Sequence, residues 1–485
     1  MTNKKSVKKN YVYNMLYQLL QIILPIITTP YLARRLGAEG NGIYGFTVSI
    51  VTYFILFGSL GVGLYGQREI AYNQKDKEKR SKVFFELFLF KFITMFISAS
   101  VFYLVFCIRG NYSIYYRILL IEMLANVLDV TWFYQGMEEF KNITIRNFII
   151  RIIGLICIFV FIKSPQDINK YLFIHVSCAL FGAVILWLGL RKYLVKPKKL
   201  NIMRHLPMMM ALFIPQIAIQ IYTVLDKTMI GAILHDMNEV GYYEQSQKII
   251  KILLTVITAV GTVMLPRLAN CFAEKNYEQI KRYMYKTFSF VFALAFPLML
   301  GIAVVANNFA PLFFGAGYDK VPLIMQVLSL IVLTISISNI TGTQYLLSTK
   351  RQKEFTISVI VGAIVNFLFN LVFIYYFKSV GAAIATVIAE LAVTLVQLYF
   401  VRKDFKFTDV IKLSGNYVVA SIFMFAVCYT VDAFITERLL GLIIQVISGG
   451  LSYLLVLVFL KDEFLFDIYN DNIKPILKRK VLRKG

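Results

Sequence analysis

Ionisable side chains lie inside long apolar stretches of this chain, and the candidates for chemistry there are Glu86, Lys91, Arg117, Glu122, Asp129, Asp226, Lys227 and Glu390. A charge at the centre of a bilayer costs about 2.5–3.5 kcal/mol on insertion scales, so each needs a partner or a wet cavity. Asp226 and Lys227 are adjacent and point about 100° apart on a helix, too far round to neutralise each other. Lys227 suits a phosphate-type anion, and Asp226 suits a proton or a cation. Glu122 and Asp129 are spaced to share one face of a helix, which would make that face wet. Glu86 and Lys91 are expected to pair along their helix or reach the interface, and Arg117 to snorkel from a helix end. Arg34, Arg35, Arg68 and Arg267 sit near helix ends, where a guanidinium can grip phosphate through two hydrogen bonds. Arg34 and Arg35 stand out, because positive charge has no topological reason to be on their side.

A second group of residues offers hard oxygens. Asn366 and Asn370 share a helix face, and Thr386 follows across a short loop. With Asp226 they make a candidate site for a small cation such as sodium; hydrogen bonding between helices is the alternative. Glu390, Glu122 and Asp129 complete the candidates for coupling to a proton or cation. Three histidines and five scattered cysteines give no other metal site and no disulfide framework.

These residues are carried by fourteen apolar stretches, each about the 20 residues needed to cross a bilayer. They run 11–33, 42–64, 83–106, 114–136, 145–162, 171–190, 207–230, 248–270, 287–306, 321–346, 356–377, 381–401, 414–434 and 439–460. The chain is 58% hydrophobic and only 16% charged. Its net charge of +24 is concentrated in alternate loops, with Arg191, Lys192 and Lys196 in the sixth and Lys281, Arg282 and Lys286 in the eighth. Positive loops mark the cytoplasmic side, which places Lys4, Lys5, Lys8 and Lys9 and the tail from Lys474 to Lys484 in the cytoplasm. The charge is therefore topological, and nucleic acid is excluded as a partner. A miscounted pair of crossings would preserve the pattern, so twelve spans fit as well. No cleavable leader is expected, since MTNKKSVKKN runs directly into the first span. No loop is long enough for a catalytic domain, and no Walker motif is present. Glycines and prolines interrupt several spans, among them Pro25, Pro30, Gly61, Gly63 and Pro266, and are candidate hinges.

The chain repeats itself at about 200 residues. LGAEGNGIYGF after span one matches LHDMNEVGYYEQ after span seven, with Gly42 aligned on Gly241. GVGLYGQREIAYNQKDKEKR matches GTVMLPRLANCFAEKNYEQIKR, and TWFYQGMEEFKNITI matches TQYLLSTKRQKEFTI. Six spans separate each pair, so both copies have the same orientation. The expected fold is an all-α integral membrane protein of two six-helix lobes, related by a pseudo-two-fold axis along the membrane normal, plus two C-terminal helices. The lobes are residues 1–200 and 201–405, and 406–485 holds the last two spans and the basic tail.

TPYLARRLGAEGNGIYGF (Thr29–Phe46) and WFYQGMEEFKNITIRN (Trp132–Asn147) resemble signatures of the polysaccharide transporter family. GLYGQREIA from Gly63 and LDKTMIGAIL from Leu225 fit it too. The family belongs to the multidrug/oligosaccharidyl-lipid/polysaccharide exporter superfamily. The resemblance implies a non-enzymatic flippase moving undecaprenyl-diphosphate-linked oligosaccharides from the inner to the outer leaflet of the bacterial cytoplasmic membrane. It implies alternating access driven by membrane potential, protons or sodium, with membrane lipids and polysaccharide assembly proteins as partners. Arg34, Arg35, Arg68, Lys227 and Arg267 would then meet the diphosphate and sugars. Rival readings are a cation-coupled multidrug exporter, with an acidic cavity, and a membrane-embedded enzyme of polysaccharide assembly.

Overall fold

The computed structural model describes residues 7–197, 199–462, 464 and 465; for residues 7–22 and for 215, 218, 221, 222, 260, 262, 263 and 407 it describes the backbone only. Lys4, Lys5, Lys198 and the tail from Lys474 to Lys484 lie outside the described residues. Every regular element among the described residues is helical. Among the described residues ten helices are long and apolar enough to cross a membrane, and the chain is a multi-pass membrane protein. Two of these stretches, Ile23–Tyr72 and Gln352–Val401, are 50 residues long and break internally. The chain divides into two compact units, Met1–Glu244 and Gln245–Gly485.

The first unit opens with α1 (Val7–Ser59), broken at Gly37, whose φ of 72° with ψ near 180° is open only to glycine. The Asn41 amide spans the break by donating to the carbonyls of Leu32 and Gly37, satisfying backbone oxygens that the kink frees. Then come α2 (Val62–Tyr72), α3 (Lys77–Phe102), α4 (Ser113–Leu128), α5 (Thr131–Gly136), α6 (Phe140–Phe161), α7 (Ile168–Leu190) and α8 (Leu206–Leu234). α3 is started by Asp76, whose carboxylate accepts from the Lys79 N–H at 3.0 Å. That bond, first among its causes, holds the Asp76 carboxyl below its ordinary 3.8. α4 packs on α7, α1 on α3, α6 and α8, and α2 on α5. A buried aromatic knot around Phe84, Trp132, Phe133 and Tyr134 ties α3, α5 and α7 together.

The fourth apolar stretch is not one helix. α4 ends at Leu128, and Asp129 turns extended and receives the Thr131 backbone N–H at 3.0 Å. The single wet face expected of Glu122 and Asp129 is therefore absent: Asp129 is a turn residue, because a short polar side chain competes with the helix for its own backbone. Glu86 and Lys91 do not pair either. Lys91 reaches across to the carbonyls of Asn126 and Asp129 at that same break, and Glu86 turns to the loop after α7. Arg117 donates to the Cys107 carbonyl at 2.9 Å.

α9 (Met237–Ala273) leads from the first unit into the second, which continues with α10 (Tyr277–Phe314), α11 (Val321–Ser338), α12 (Gln352–Val401), α13 (Phe407–Phe434) and α14 (Arg438–Phe459). α12 is two helices joined at Lys378 (φ 55°). A π-helical run, Asn339–Leu346, ends α11 and is clamped by Gln397, fully buried, which accepts from Thr341 Oγ1 at 2.8 Å and donates to Ser358 Oγ at 3.0 Å. Buried Gln445 on α14 bridges to the Cys428 carbonyl and the Asp432 carboxylate of α13, both at 3.2 Å. Apolar environments make such satisfied amides a specific glue between helices.

Candidate functional site

Two membrane-embedded charges of the first unit, Asp226 and Lys227, meet partners on the first turns of α9. α1 and α9 cross in near backbone contact. A Cβ on Gly42 would fall 1.7 Å from the Met237 carbonyl oxygen, and one on Gly241 would fall 2.0 Å from that of Ala38. The two glycines aligned by the internal repeat thus face each other, each filling the place that a side chain on the other helix would need.

This approach brings Tyr243 and Glu244 of α9 against Asp226 and Lys227 of α8. The Tyr243 hydroxyl donates to Asp226 Oδ2, and Lys227 Nζ lies 2.8 Å from Glu244 Oε2. Asp226 and Lys227 do diverge around their helix, and α9 supplies a separate partner for each. Asp226 is 3% exposed. The Lys227 and Glu244 side chains keep 13% and 9%. Thr228, next along α8, hydrogen-bonds Ser49 Oγ at 2.8 Å and Tyr53 at 3.2 Å on α1. Gly45 of α1 also lies beside this pair: a Cβ there would sit in ordinary contact, 3.5 Å from Glu244 Oε2.

A polar path continues from this point through the unit. Tyr44 of α1 and Tyr171 of α7 have ring centroids 4.8 Å apart and share a hydrogen bond. Tyr44 also meets the His175 ring edge-on at 5.6 Å. His175 Nε2 lies 3.7 Å from Glu122 Oε1, while Glu122 Oε2 is buried without a hydrogen-bond partner. A cavity of 210 Å³ reaches His175 and Tyr171, with Thr28 and Arg151 also on its wall.

Two of the arginines of the first unit meet other groups. Arg34 and Arg35 are exposed; Arg35 lies over the Tyr31 ring at 5.6 Å and near the Lys163 carbonyl. Arg68 stands over Tyr65 at 5.4 Å and pairs with Glu69 at 3.6 Å. Arg267 is exposed on α9, in the second unit. Of the cation candidates, Asp226 belongs to the first unit, and Asn366, Asn370, Thr386 and Glu390 are buried on α12 of the second. Asn370 Nδ2 donates to Asn366 Oδ1 at 3.1 Å, as their spacing predicts, and Thr386 Oγ1 donates to the Ala382 carbonyl at 2.8 Å. Among the described residues no group of three or more His, Cys, Asp and Glu is placed to hold a metal.

A second polar cluster fastens the segment between α7 and α8. Fully buried Glu86 accepts from the Asn201 backbone N–H at 2.6 Å and from Arg204 at 2.5 Å, and lies 2.9 Å from His205 Nε2. Tyr65 closes the set, its hydroxyl 2.8 Å from His205 Nδ1. Ser81 Oγ accepts from the Val195 N–H at 2.9 Å, and Arg80 donates to the Tyr193 carbonyl at 2.6 Å. Burial first, and then the Glu139 carboxylate 3.1 Å away, pushes the Tyr193 phenol up to about 12.

Sequence reasoning missed Glu244, Tyr243, His175 and His205 as partners. Glu244 was legible only as part of a repeated loop; α9 begins at Met237, eleven residues before the expected span, so an apparent loop residue lies on the helix.

The fold belongs to a known class. Residues 7–272 match the model of the Polysaccharide biosynthesis protein family, and residues 188–448 match that of Lipid II flippase MurJ. The chain belongs to the polysaccharide biosynthesis protein family. A relative in Escherichia coli (strain K12), described as "Putative O-antigen transporter", is 26% identical over 417 residues, 83% of this chain and 98% of its own. The capsular polysaccharide biosynthesis protein CapF of Staphylococcus aureus is 22% identical over 410 residues, 82% of this chain and all of its own. Among solved structures, Lipid II flippase MurJ in an inward closed conformation superposes with a TM-score of 0.74 at 18% identity, covering 93% of this chain and 99% of that one. An inward-facing multidrug resistance MATE transporter gives 0.62 at 14% identity, covering 83% and 99%.

Proposed function

We propose that this protein is a flippase, not an enzyme, which carries lipid-linked oligosaccharides across the cytoplasmic membrane of a bacterium for cell-surface polysaccharide synthesis. The relatives named for O-antigen transport and lipid II flipping support the substrate class. The observation that carries the reading within the chain is Lys227: a cation set among membrane helices, held by one carboxylate, is the chemistry an undecaprenyl diphosphate needs once it leaves water. The head group enters from the cytoplasm, the prenyl tail stays in lipid, and two six-helix lobes of a fourteen-span bundle alternate their access. Arg34, Arg35, Arg68 and Arg267 are proposed as further phosphate or sugar contacts, and Asn366, Asn370, Thr386, Asp226, Asp129, Glu122 and Glu390 as candidates for cation or proton coupling. Membrane potential, at about 2.3 kcal/mol per charge per 100 mV, suffices to bias such a cycle. Both chain ends are proposed to lie in the cytoplasm, and assembly proteins to take the product.

The test replaces Arg34, Arg35, Arg68 and Lys227 singly by Gln and measures surface polysaccharide at matched membrane levels. Loss of export in Lys227→Gln is the expected result. Unchanged export in all four removes the basic site. The multidrug reading rests on the MATE fold likeness; it predicts instead that drug efflux falls and polysaccharide is untouched.

A further inference from the structure

We infer that the groove between α3, α7 and the segment following α7 is a binding site for an anionic phospholipid, with Arg191 and Lys196 at its phosphate. The site is separate from Lys227 and stands whether or not the protein is a flippase.

The groove has a volume of 870 Å³. α7 ends at Leu190 and the apolar run of α3 begins at Val83, so the groove lies where two spans give way to polar sequence. Phe85 of α3 with Trp187 and Leu188 of α7 form one wall, and Val195 and Leu200 of the following segment form the other. Leu188 is 78% exposed, and Val195 and Leu200 are exposed as well. Apolar side chains in the open on a segment this rich in lysine mark a binding surface, and at the end of a span the apolar material at hand is an acyl chain.

Both walls are fixed. The Trp187 indole N–H donates to the Leu128 carbonyl at 2.7 Å, and its ring meets that of Phe88 edge-on at 4.9 Å. Opposite, the Val195 N–H donates to Ser81 Oγ at 2.9 Å, while the Tyr193 carbonyl accepts from Arg80 and the Asn201 N–H donates to Glu86. The groove is therefore preformed, and an entering chain does not have to order it.

Charge selects the head group. Arg191 and Lys196 line the groove and are exposed, and no carboxylate is among its described lining residues. No acidic residue lies between Arg191 and Arg204 in the sequence. Glu86 meets the segment at Asn201 and Arg204, and Glu139 meets it at Tyr193, none of which lines the groove. A phosphate diester on an acyl tail satisfies the cations and the apolar walls together. Exposed cations hold a phosphate only weakly, which suits a lipid supplied by the surrounding bilayer and not a dilute solute.

The experiment reconstitutes the full-length protein in phosphatidylcholine vesicles and reads tryptophan fluorescence as part of the lipid is replaced by acyl-brominated phosphatidylglycerol. Of the two tryptophans, Trp187 lines the groove and Trp132 is 4% exposed. Brominated phosphatidylglycerol should quench at least about threefold more effectively than brominated phosphatidylcholine at the same mole fraction. The excess should vanish in Trp187→Phe and in the double variant Arg191→Gln, Lys196→Gln. It should survive in Lys75→Gln, Lys77→Gln, which removes the same charge from exposed positions that do not line the groove. Equal quenching by the two lipids overturns the site, as does an excess that persists without Trp187. Equal loss in the two double variants would mean diffuse attraction to basic loops and overturns it too. Release of the excess by an equal mole fraction of farnesyl diphosphate would assign the groove to a prenyl diphosphate and overturn the phospholipid.

Discussion

Lys227 and Glu244 form a 2.8 Å ion pair one residue along from the Asp226–Tyr243 hydrogen bond, so two adjacent residues on α8 are matched by two adjacent residues on α9. Removing one member of a buried pair leaves the other charge uncompensated, at a cost of about 3–5 kcal/mol. Glu244→Ala strands the Lys227 ammonium and should lower the thermal midpoint in detergent clearly. Lys227→Ala combined with Glu244→Ala should recover much of the loss, because no charge is then stranded. A double variant as unstable as the sum of the singles would deny the pairing.

The Gly42–Gly241 crossing is a close backbone approach that a substitution can test. Gly42→Ala would set a methyl 1.7 Å from the Met237 carbonyl oxygen, and a carbonyl cannot rotate away as a side chain can. The expected loss is at or above the upper end of the about 1–3 kcal/mol typical of overpacking. Gly415→Ala, with nothing within 4 Å of the added Cβ, is the matched control and should be neutral. Folded yield and melting temperature in detergent check both.

Glu86 holds the α7–α8 segment through three partners, and none of them has another carboxylate in that cluster. Glu86→Ala should free the segment from Arg191 to Arg204, which is rich in lysine and arginine. Trypsin cleavage there should quicken at least tenfold while the apolar helices stay protected. Cleavage at the wild-type rate would show that Arg80 and Ser81 fasten the segment unaided.

Asp76 gives a pH dependence with a definite sign. Its carboxyl is held below its ordinary 3.8 by the Lys79 N–H, so the folded state favours the ionised form. The cap's contribution is present above that ordinary value and is lost as pH falls through the lowered one. Hydrogen exchange at residues 77–81 should therefore quicken below about pH 4. Asp76→Asn keeps an acceptor and should remove the pH step; a step that persists would assign it to another group.

Much of this was readable in advance, and the failures have physical causes. Apolar length located most of the helices, because a bilayer imposes it. The repeat located Gly42 and Gly241, although only coordinates show the two copies touching each other. Spacing placed Asn366 and Asn370 on one face, where they hydrogen-bond. It failed for Glu122 and Asp129, because hydropathy does not register a helix break at a polar residue. Partner choice was the larger gap. Glu86 found Asn201, Arg204 and His205, and Lys227 found Glu244, through contacts that no periodicity encodes.

The contact between Gly42 and Gly241 also bears on how such chains can be recombined. A chimera that takes only residues 1–200 from this protein would pair α1 with a foreign α9, and any donor with a side chain at either glycine would jam the crossing. Breakpoints after Glu244 keep the two surfaces together. Natural mosaics that exchange glycan specificity should therefore have inherited residues 1–244 as one block.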